Sequence, residues 1–412
     1  MAMAGKRYGP WKGHGPGTSA RTALSRTERE LCASAVLIAC AVAALQSSLF
    51  HLVLLAWRLP LQMIRLGILF FRFSLYILYL LPAMLCGVAY WAFAGQNIIS
   101  VSYKAGGGLR HTCDVYLPSK SADERAKGQK PKATAPVVVL VSGGAFIIGH
   151  KGYVTMLCRA LRSVGVLCIA VDYRYWPQAS VDDMVEDNDA ALSWSLQNCA
   201  QYGGDPKRVT LLGLSSGAHV AALLLMRRCM EVNASGTGQQ PSWSAKDLIG
   251  FVGLGGIYHF NGSLMDHLHR KGIDYFLQRR IMGSTLAVQE ARSPIQLLRR
   301  EPDLAAQLPP MLLVHGSCDK IVPPEQSQTF SAMLQELSAD VQLLLQEGEG
   351  HNDPVIHNPL MSQSDTVRAI IASICRWSKG GSQDVAMALG DLPSWPRLPK
   401  EVIQVARMLT PI

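Results

Sequence analysis

Two stretches of this 412-residue chain lack charge altogether. Leu31 to Trp57 and Phe73 to Ala94 contain no Asp, Glu, Lys or Arg. Each is long enough to cross the ~30 Å hydrocarbon core of a bilayer as a helix. The chain also lacks any C-x-x-C pair. Its 10 cysteines stand singly, which argues against zinc-ribbon and thioredoxin spacings and fits reduced thiols in a cytosol-facing protein. Gly106-Gly107-Gly108 has no Lys-Ser or Lys-Thr after it, so no phosphate loop is implied. Asp266, His267 and His269 have no further cluster nearby and read as a solvated turn, so no metal is implied. Basic residues outnumber acidic ones 39 to 30 but are scattered and accompany no nucleic-acid motif. A membrane surface is a better partner than nucleic acid for that basicity, given the uncharged stretches beside it. The apolar run starts too late for a cleaved signal peptide.

What is present begins with a polar, basic segment, residues 1–30, expected to be disordered. Residues 31–95 form the expected membrane segment, a hairpin of two transmembrane helices. Six basic residues precede the first span and Lys104 and Arg110 follow the second, against three arginines between them, which puts both ends in the cytosol. One span plus an amphipathic surface helix is the alternative. Residues 96–379 alternate strands with helices, the pattern of an α/β doubly wound, mostly parallel sheet. Ser119 to Thr134 reads as a charged loop and Glu231 to Lys246 as a mobile one. Gly256 to Leu308 is a long insert between strands, placed to form part of a cap. Its Arg270, Lys271, Arg279, Arg280, Arg292, Arg299 and Arg300 face only five acids, so part of it is expected to meet anionic headgroups. Residues 380–412 form a tail with a short helix near Lys400 to Leu409.

The chain is organised around Val209 to Ala222. An apolar strand turns through Gly213-Leu214-Ser215-Ser216-Gly217 into good helix formers. This is the G-x-S-x-G nucleophile elbow, in which a sharp strand-to-helix turn lifts the serine oxygen clear of the sheet. Serine is a weak nucleophile until a base takes its proton, and the base needs a third group to orient it. In an α/β-hydrolase the chain order is serine, acid, histidine. Asp319, past the strand Met311 to Val314, is the expected acid. His351, past the strand Val341 to Leu345, is the expected base. His357 is its nearest competitor, and His219 falls one turn into the elbow helix, where packing is the better reading. The oxyanion needs two or three amides. Those of Gly143, Gly144 and Ser216 are assigned, the first two in Ser142 to Phe146 just after the strand Val137 to Val141.

Residues 97 to 377 resemble the α/β-hydrolase superfamily. Within it the chain is most similar to the isoprenylcysteine α-carbonyl methylesterases. SGGAFIIGHKG (Ser142 to Gly152), VDYRYWP (Val171 to Pro177), DDMV (Asp182 to Val185) and YGGDPKRVTLLGLSSGAH (Tyr202 to His219) carry the likeness. The resemblance implies hydrolysis of a carboxyl methyl ester on a prenylated C-terminal cysteine. Ser215, Asp319 and His351 would be catalytic, with Gly143, Gly144 and Ser216 at the oxyanion. It implies no cofactor, a prenylated protein or prenylcysteine methyl ester and membrane lipid as partners, and an endoplasmic reticulum or Golgi membrane with the catalytic domain in the cytosol. The sequence departs from relatives at Ser142, Phe146, Leu214 and Ser216, none of which removes a catalytic group. Two other readings stay open: a membrane carboxylesterase acting on other lipophilic esters, and a non-catalytic hydrolase-fold receptor.

Overall fold

A computed structural model describes residues 97–234, 242–260, 262–270, 275–361 and 365–378, with single positions between 60 and 91 and at 401, 405 and 408. The chain divides into two compact units, Met1–Phe71 and Arg72–Ile412. The expected span Leu31 to Trp57 lies outside the described residues, and Phe73 to Ala94 lies partly outside them. Among the described residues no helix is long and apolar enough to cross a membrane.

Eight strands form one sheet in the order β1-β2-β4-β3-β5-β6-β7-β8. They are β1 (Ile98–Ser102), β2 (Thr112–Tyr116), β3 (Ala135–Val141), β4 (Leu167–Val171), β5 (Gly204–Leu214), β6 (Leu248–Leu254), β7 (Met311–Gly316) and β8 (Val341–Gln346). The first two strands pair antiparallel, β2 with β4 as well, and all other pairs are parallel. This is the doubly wound, mostly parallel sheet expected from the alternating pattern. Its central strands are buried on both faces, which is why Val137–Val141, Leu167–Val171 and Val209–Leu212 read as unbroken or nearly unbroken apolar runs, while β1 and β8 at the edges are partly exposed. Val137, Val139 and Val141 face one core, with Val220 and Leu223 of the helix Ser216–Ala234. Val138 and Leu140 face the other, with Leu157 and Leu161 of the helix Thr155–Ser163 and Ile370 of the helix Asp365–Trp377.

The strand order places the site. After β3 the chain crosses to β4 on one side, then returns to β5 on the other. The crevice outside the carboxyl ends of β3 and β5 is therefore the topological switch point, where open α/β sheets bind ligands. The register aligns the ends around it: Val141 opposite Gly213, and Leu254 opposite both Leu214 and Val314.

Some local expectations are corrected. Ser119–Ala126 is a helix, because Pro118 precedes a run of helix formers with no glycine before Gly128. Asp266, His267 and His269 lie on the helix Gly262–Arg270 and not in a turn. The helix Ser216–Ala234 takes in the start of the expected mobile loop, and Trp243 near its end is buried, its indole N–H donating to Asp189 at 2.7 Å. The insert folds into short helices that include Leu286–Ala291 and Pro294–Arg300. Its Arg292 is bonded to Asp182 and to the carbonyl of Met282, so that arginine is engaged within the protein and not with headgroups. The tail falls almost wholly outside the described residues; Glu401, Val405 and Met408 are helical.

Candidate active site

Ser215 sits at the end of β5 with φ at +54°, a left-handed backbone that few side chains accept. The turn is held from both sides. The Ser215 amide donates to the Leu254 carbonyl at 2.8 Å, and the Ser215 carbonyl accepts from Ala218 at 3.0 Å. Gly217 is required by contact: a Cβ there would run into the carbonyl oxygens of Val141 and Ser142.

The turn after β3 lies directly against the serine. A Cβ on Gly143 would stand 2.9 Å from Ser215 Cβ. Gly144, Ala145 and Phe146 all take positive φ, at +126°, +51° and +65°. Such a run persists only where its surroundings impose it. Ser216 Oγ accepts from the Phe146 amide at 3.2 Å, and the Trp176 amide donates to the Phe146 carbonyl at 2.9 Å. Tyr173 donates to the Ser142 carbonyl and the Tyr175 hydroxyl meets Ser142 Oγ, both at 2.8 Å. Among the described residues no carbonyl or side chain accepts from the amides of Gly143 or Gly144. The Ser216 amide, at the opening of a helix, likewise has no acceptor among the described residues.

Asp319 and His351 meet at the same end of the sheet. His351 Nδ1 lies 2.7 Å from Asp319 Oδ2. Oδ1 of the same carboxylate accepts from the Ile321 and Val322 amides at 2.8 and 2.9 Å. His315 Nε2 is 3.1 Å from Oδ2 and 2.9 Å from the Val322 carbonyl. A carbonyl only accepts, so His315 Nε2 carries a proton. Asp319 is thus surrounded by four donors. Burial alone would raise its carboxyl pKa. The His351 imidazole and the hydrogen bonds from His315 and His351 prevail and hold it well below the ordinary carboxylate range. An ionised acid on Nδ1 leaves Nε2 as the basic nitrogen of His351.

One peptide links the two halves. Leu254 accepts the Ser215 amide, and the next residue, Gly255, lies against the His351 ring. Ser215 and His351 are both mostly buried, at 7% and 9% exposed. His219 is fully buried. It lies edge-on to Phe146 and Phe260 at 5.4 and 5.7 Å, and its Nδ1 is 3.1 Å from the Ile257 carbonyl. Burial lowers its pKa to about 4. It packs against Phe146 of the turn after β3. His357 pairs with Asp353.

Gly143 and Gly144 thus lie on the turn against Ser215 and Ser216, and Asp319 and His351 meet beside Gly255, one residue past the carbonyl that holds the Ser215 amide. Sequence reasoning missed His315, Gly255, Tyr173, Tyr175 and Phe260. Only the VDYRYWP stretch carried a signal, through resemblance and with no role attached.

The comparisons with known proteins show the family and the fold. The BD-FAE family model matches residues 114–334. A probable isoprenylcysteine α-carbonyl methylesterase of Oryza sativa subsp. japonica is 34% identical over 310 residues, 74% of this chain and 68% of that one. The chain belongs to the isoprenylcysteine α-carbonyl methylesterase family. It is a carboxylic ester hydrolase. The isoprenylcysteine α-carbonyl methylesterase of Arabidopsis thaliana is 31% identical over 342 residues, 82% of this chain and 75% of that one. Esterase B from Lactobacillus rhamnosis, solved with an inhibitor bound, shares the fold at a TM-score of 0.56 and 20% identity, covering 74% of this chain and 99% of that one.

Proposed function

We propose that this esterase hydrolyses the carboxyl methyl ester of isoprenylcysteine, at prenylated protein C-termini, to the free acid and methanol. The observation that carries the chemistry is the 2.7 Å contact from His351 Nδ1 to Asp319, beside Gly255, whose preceding residue Leu254 anchors Ser215. The names of the plant relatives support the substrate class.

In this reading Nε2 of His351 takes the Ser215 proton as Oγ attacks the ester carbonyl. The amides of Gly143, Gly144 and Ser216 hold the oxyanion, with the helix dipole behind Ser216 adding to them. Collapse returns the proton to methoxide, and methanol leaves. Water then attacks the acyl-enzyme, again through His351. Asp319 fixes the tautomer and stabilises the imidazolium. No step calls on a metal or organic cofactor.

The uncharged stretches Leu31 to Trp57 and Phe73 to Ala94 would anchor the enzyme in an endoplasmic reticulum or Golgi membrane, with the catalytic domain in the cytosol. An anchored enzyme meets a prenylated substrate in the leaflet into which each buried CH₂ draws it by about 0.8 kcal/mol. Sugar on Asn233 or Asn261, both in N-x-S sequons, would reverse that topology.

The test is a substrate panel with purified full-length protein. Prenylcysteine methyl esters should exceed short acyl esters in kcat/KM, and the opposite order would defeat the substrate class. Ser215→Ala should abolish both turnover and labelling by a fluorophosphonate. Persistent labelling would show that the nucleophile lies elsewhere.

A further inference from the structure

Two sets of apolar side chains on the Arg72–Ile412 unit face outward. Leu78, Leu81, Leu85 and Val88 follow helical spacing along one stripe, and all four are exposed. They belong to the uncharged run Phe73 to Ala94. The second set lies on two loops: Leu109 is 95% exposed, Ile148 61% and Tyr153 45%. Leu109 tips the glycine-rich connection between β1 and β2. Ile148 and Tyr153 follow the oxyanion turn.

Hydrogen bonds join the two sets through a buried carboxylate. Asp114, fully buried, accepts from the Trp91 indole at 2.7 Å and pairs with Lys151 Nζ at 2.7 Å. Arg162 holds the same junction, donating to the Tyr90 hydroxyl at 3.3 Å and to Asn97 at 2.9 Å. A buried charge pair of this kind is costly to break, so the junction is a fixed joint. Ile148 is three residues from Lys151, within about 11 Å of backbone. Leu109 is carried alongside by Arg110, whose Nη1 donates to the Gly149 carbonyl at 3.0 Å and to Asp172 at 3.1 Å. On the inner side, the peptide between Ile148 and Gly149 packs on the oxyanion turn, where a Cβ on Gly144 would come 2.5 Å from Gly149 N.

We infer that Leu109, Ile148 and Tyr153 form a lip that enters the phospholipid bilayer beside the oxyanion turn, in the leaflet that receives the end of Phe73 to Ala94. The bilayer is the occupant because the lip is pinned to the end of a 22-residue uncharged run whose own exposed stripe calls for hydrocarbon. A nearly bare leucine on a hairpin tip and an amphipathic tyrosine behind it suit the interface. A lipid-borne ester would then pass from the leaflet to Ser215 without a passage through water. That consequence rests on the prenyl-ester reading; the lip itself does not.

The test uses full-length protein in vesicles of phosphatidylcholine with phosphatidylserine. The double variant Leu109→Ser/Ile148→Ser should lose about tenfold in kcat/KM on farnesylcysteine methyl ester in the vesicles and stay within about twofold on p-nitrophenyl acetate in water, tenfold being the weight of roughly two buried CH₂ groups. An equal loss on both substrates, or no loss on either, overturns the lip. Benzophenone side chains at 109 and 148 should photocrosslink to lipid, while one at exposed Gln342 should not. Absence of lipid adducts at 109 and 148, or protein adducts in their place, overturns it as well. Lipid adducts in a protein whose parent ignores prenylcysteine ester would uphold the lip and defeat the substrate reading. Turnover of that ester without lipid adducts would do the reverse.

Discussion

Gly255 stands against the His351 imidazole: a Cβ on the glycine would come 3.2 Å from both Cε1 and Nδ1. Its φ of +52° disfavours any side chain there. Gly255→Ala must displace either the ring or the peptide that anchors Ser215. Misplacing a reacting group by about 1 Å costs on the order of 10²-fold in rate. A contact at 3.2 Å is relieved by a few tenths of an ångström, so we expect kcat to fall by less than that order, roughly threefold to tenfold, with a stability loss of about 1–2 kcal/mol from the left-handed alanine. Steady-state kinetics beside a thermal melt separate the two. A folded variant with parental kcat would show that Gly255 does not set the imidazole position.

Ser216 supports the oxyanion turn with its side chain as well as its amide. Its hydroxyl accepts the buried Phe146 N–H within a run of three positive-φ residues. Ser216→Ala keeps the amide and removes the acceptor. The orphaned N–H should cost about 1–3 kcal/mol of stability. The rate should fall, but by less than the roughly 10²–10³ that loss of an oxyanion donor costs. Urea unfolding and kcat on one ester check both. Unchanged stability would mean that the turn does not need this bond.

His219 predicts how stability depends on pH. Burial lowers its folded pKa to about 4 from an ordinary 6.5. Between those values the unfolded chain binds more protons than the folded one, so stability falls as pH drops through the window. Above pH 6.5 the term costs nothing, and at its full extent, below the folded value, it is on the order of 3 kcal/mol. His259, also lowered to about 4 by burial, acts in the same direction. His219→Gln should therefore lower stability at pH 7 through lost packing yet flatten the decline between pH 7 and 5, leaving the His259 share. Urea midpoints at stepped pH measure this. An unaltered slope would mean that His219 does not titrate on unfolding.

Much of the site was legible because elbow chemistry is local. Gly213 and Gly217 flank Ser215 at fixed spacing, since a Cβ at either would meet backbone. Gly143-Gly144 after β3, Asp319 after β7 and His351 after β8 were legible as loops beyond strand ends. His315 was not, because its contact with Asp319 depends on how the chain curls back after β7. Gly255 was not, because its need for glycine comes from an imidazole 96 residues downstream. The helix Ser119–Ala126 was missed because a segment this polar has no apolar period to reveal it.

The sequence by itself determined the strand pattern, the elbow and the order Ser215, Asp319, His351, because strand burial and turn sterics act over a few residues. Only the tertiary structure decided that β3 and β5 adjoin at the switch point, that Tyr173, Tyr175 and Ser216 hold the turn after β3, and that Trp91 shares Asp114 with Lys151. Those facts arise where distant segments exclude one another's volume and share hydrogen-bond partners, and neither constraint exists until the sheet has closed.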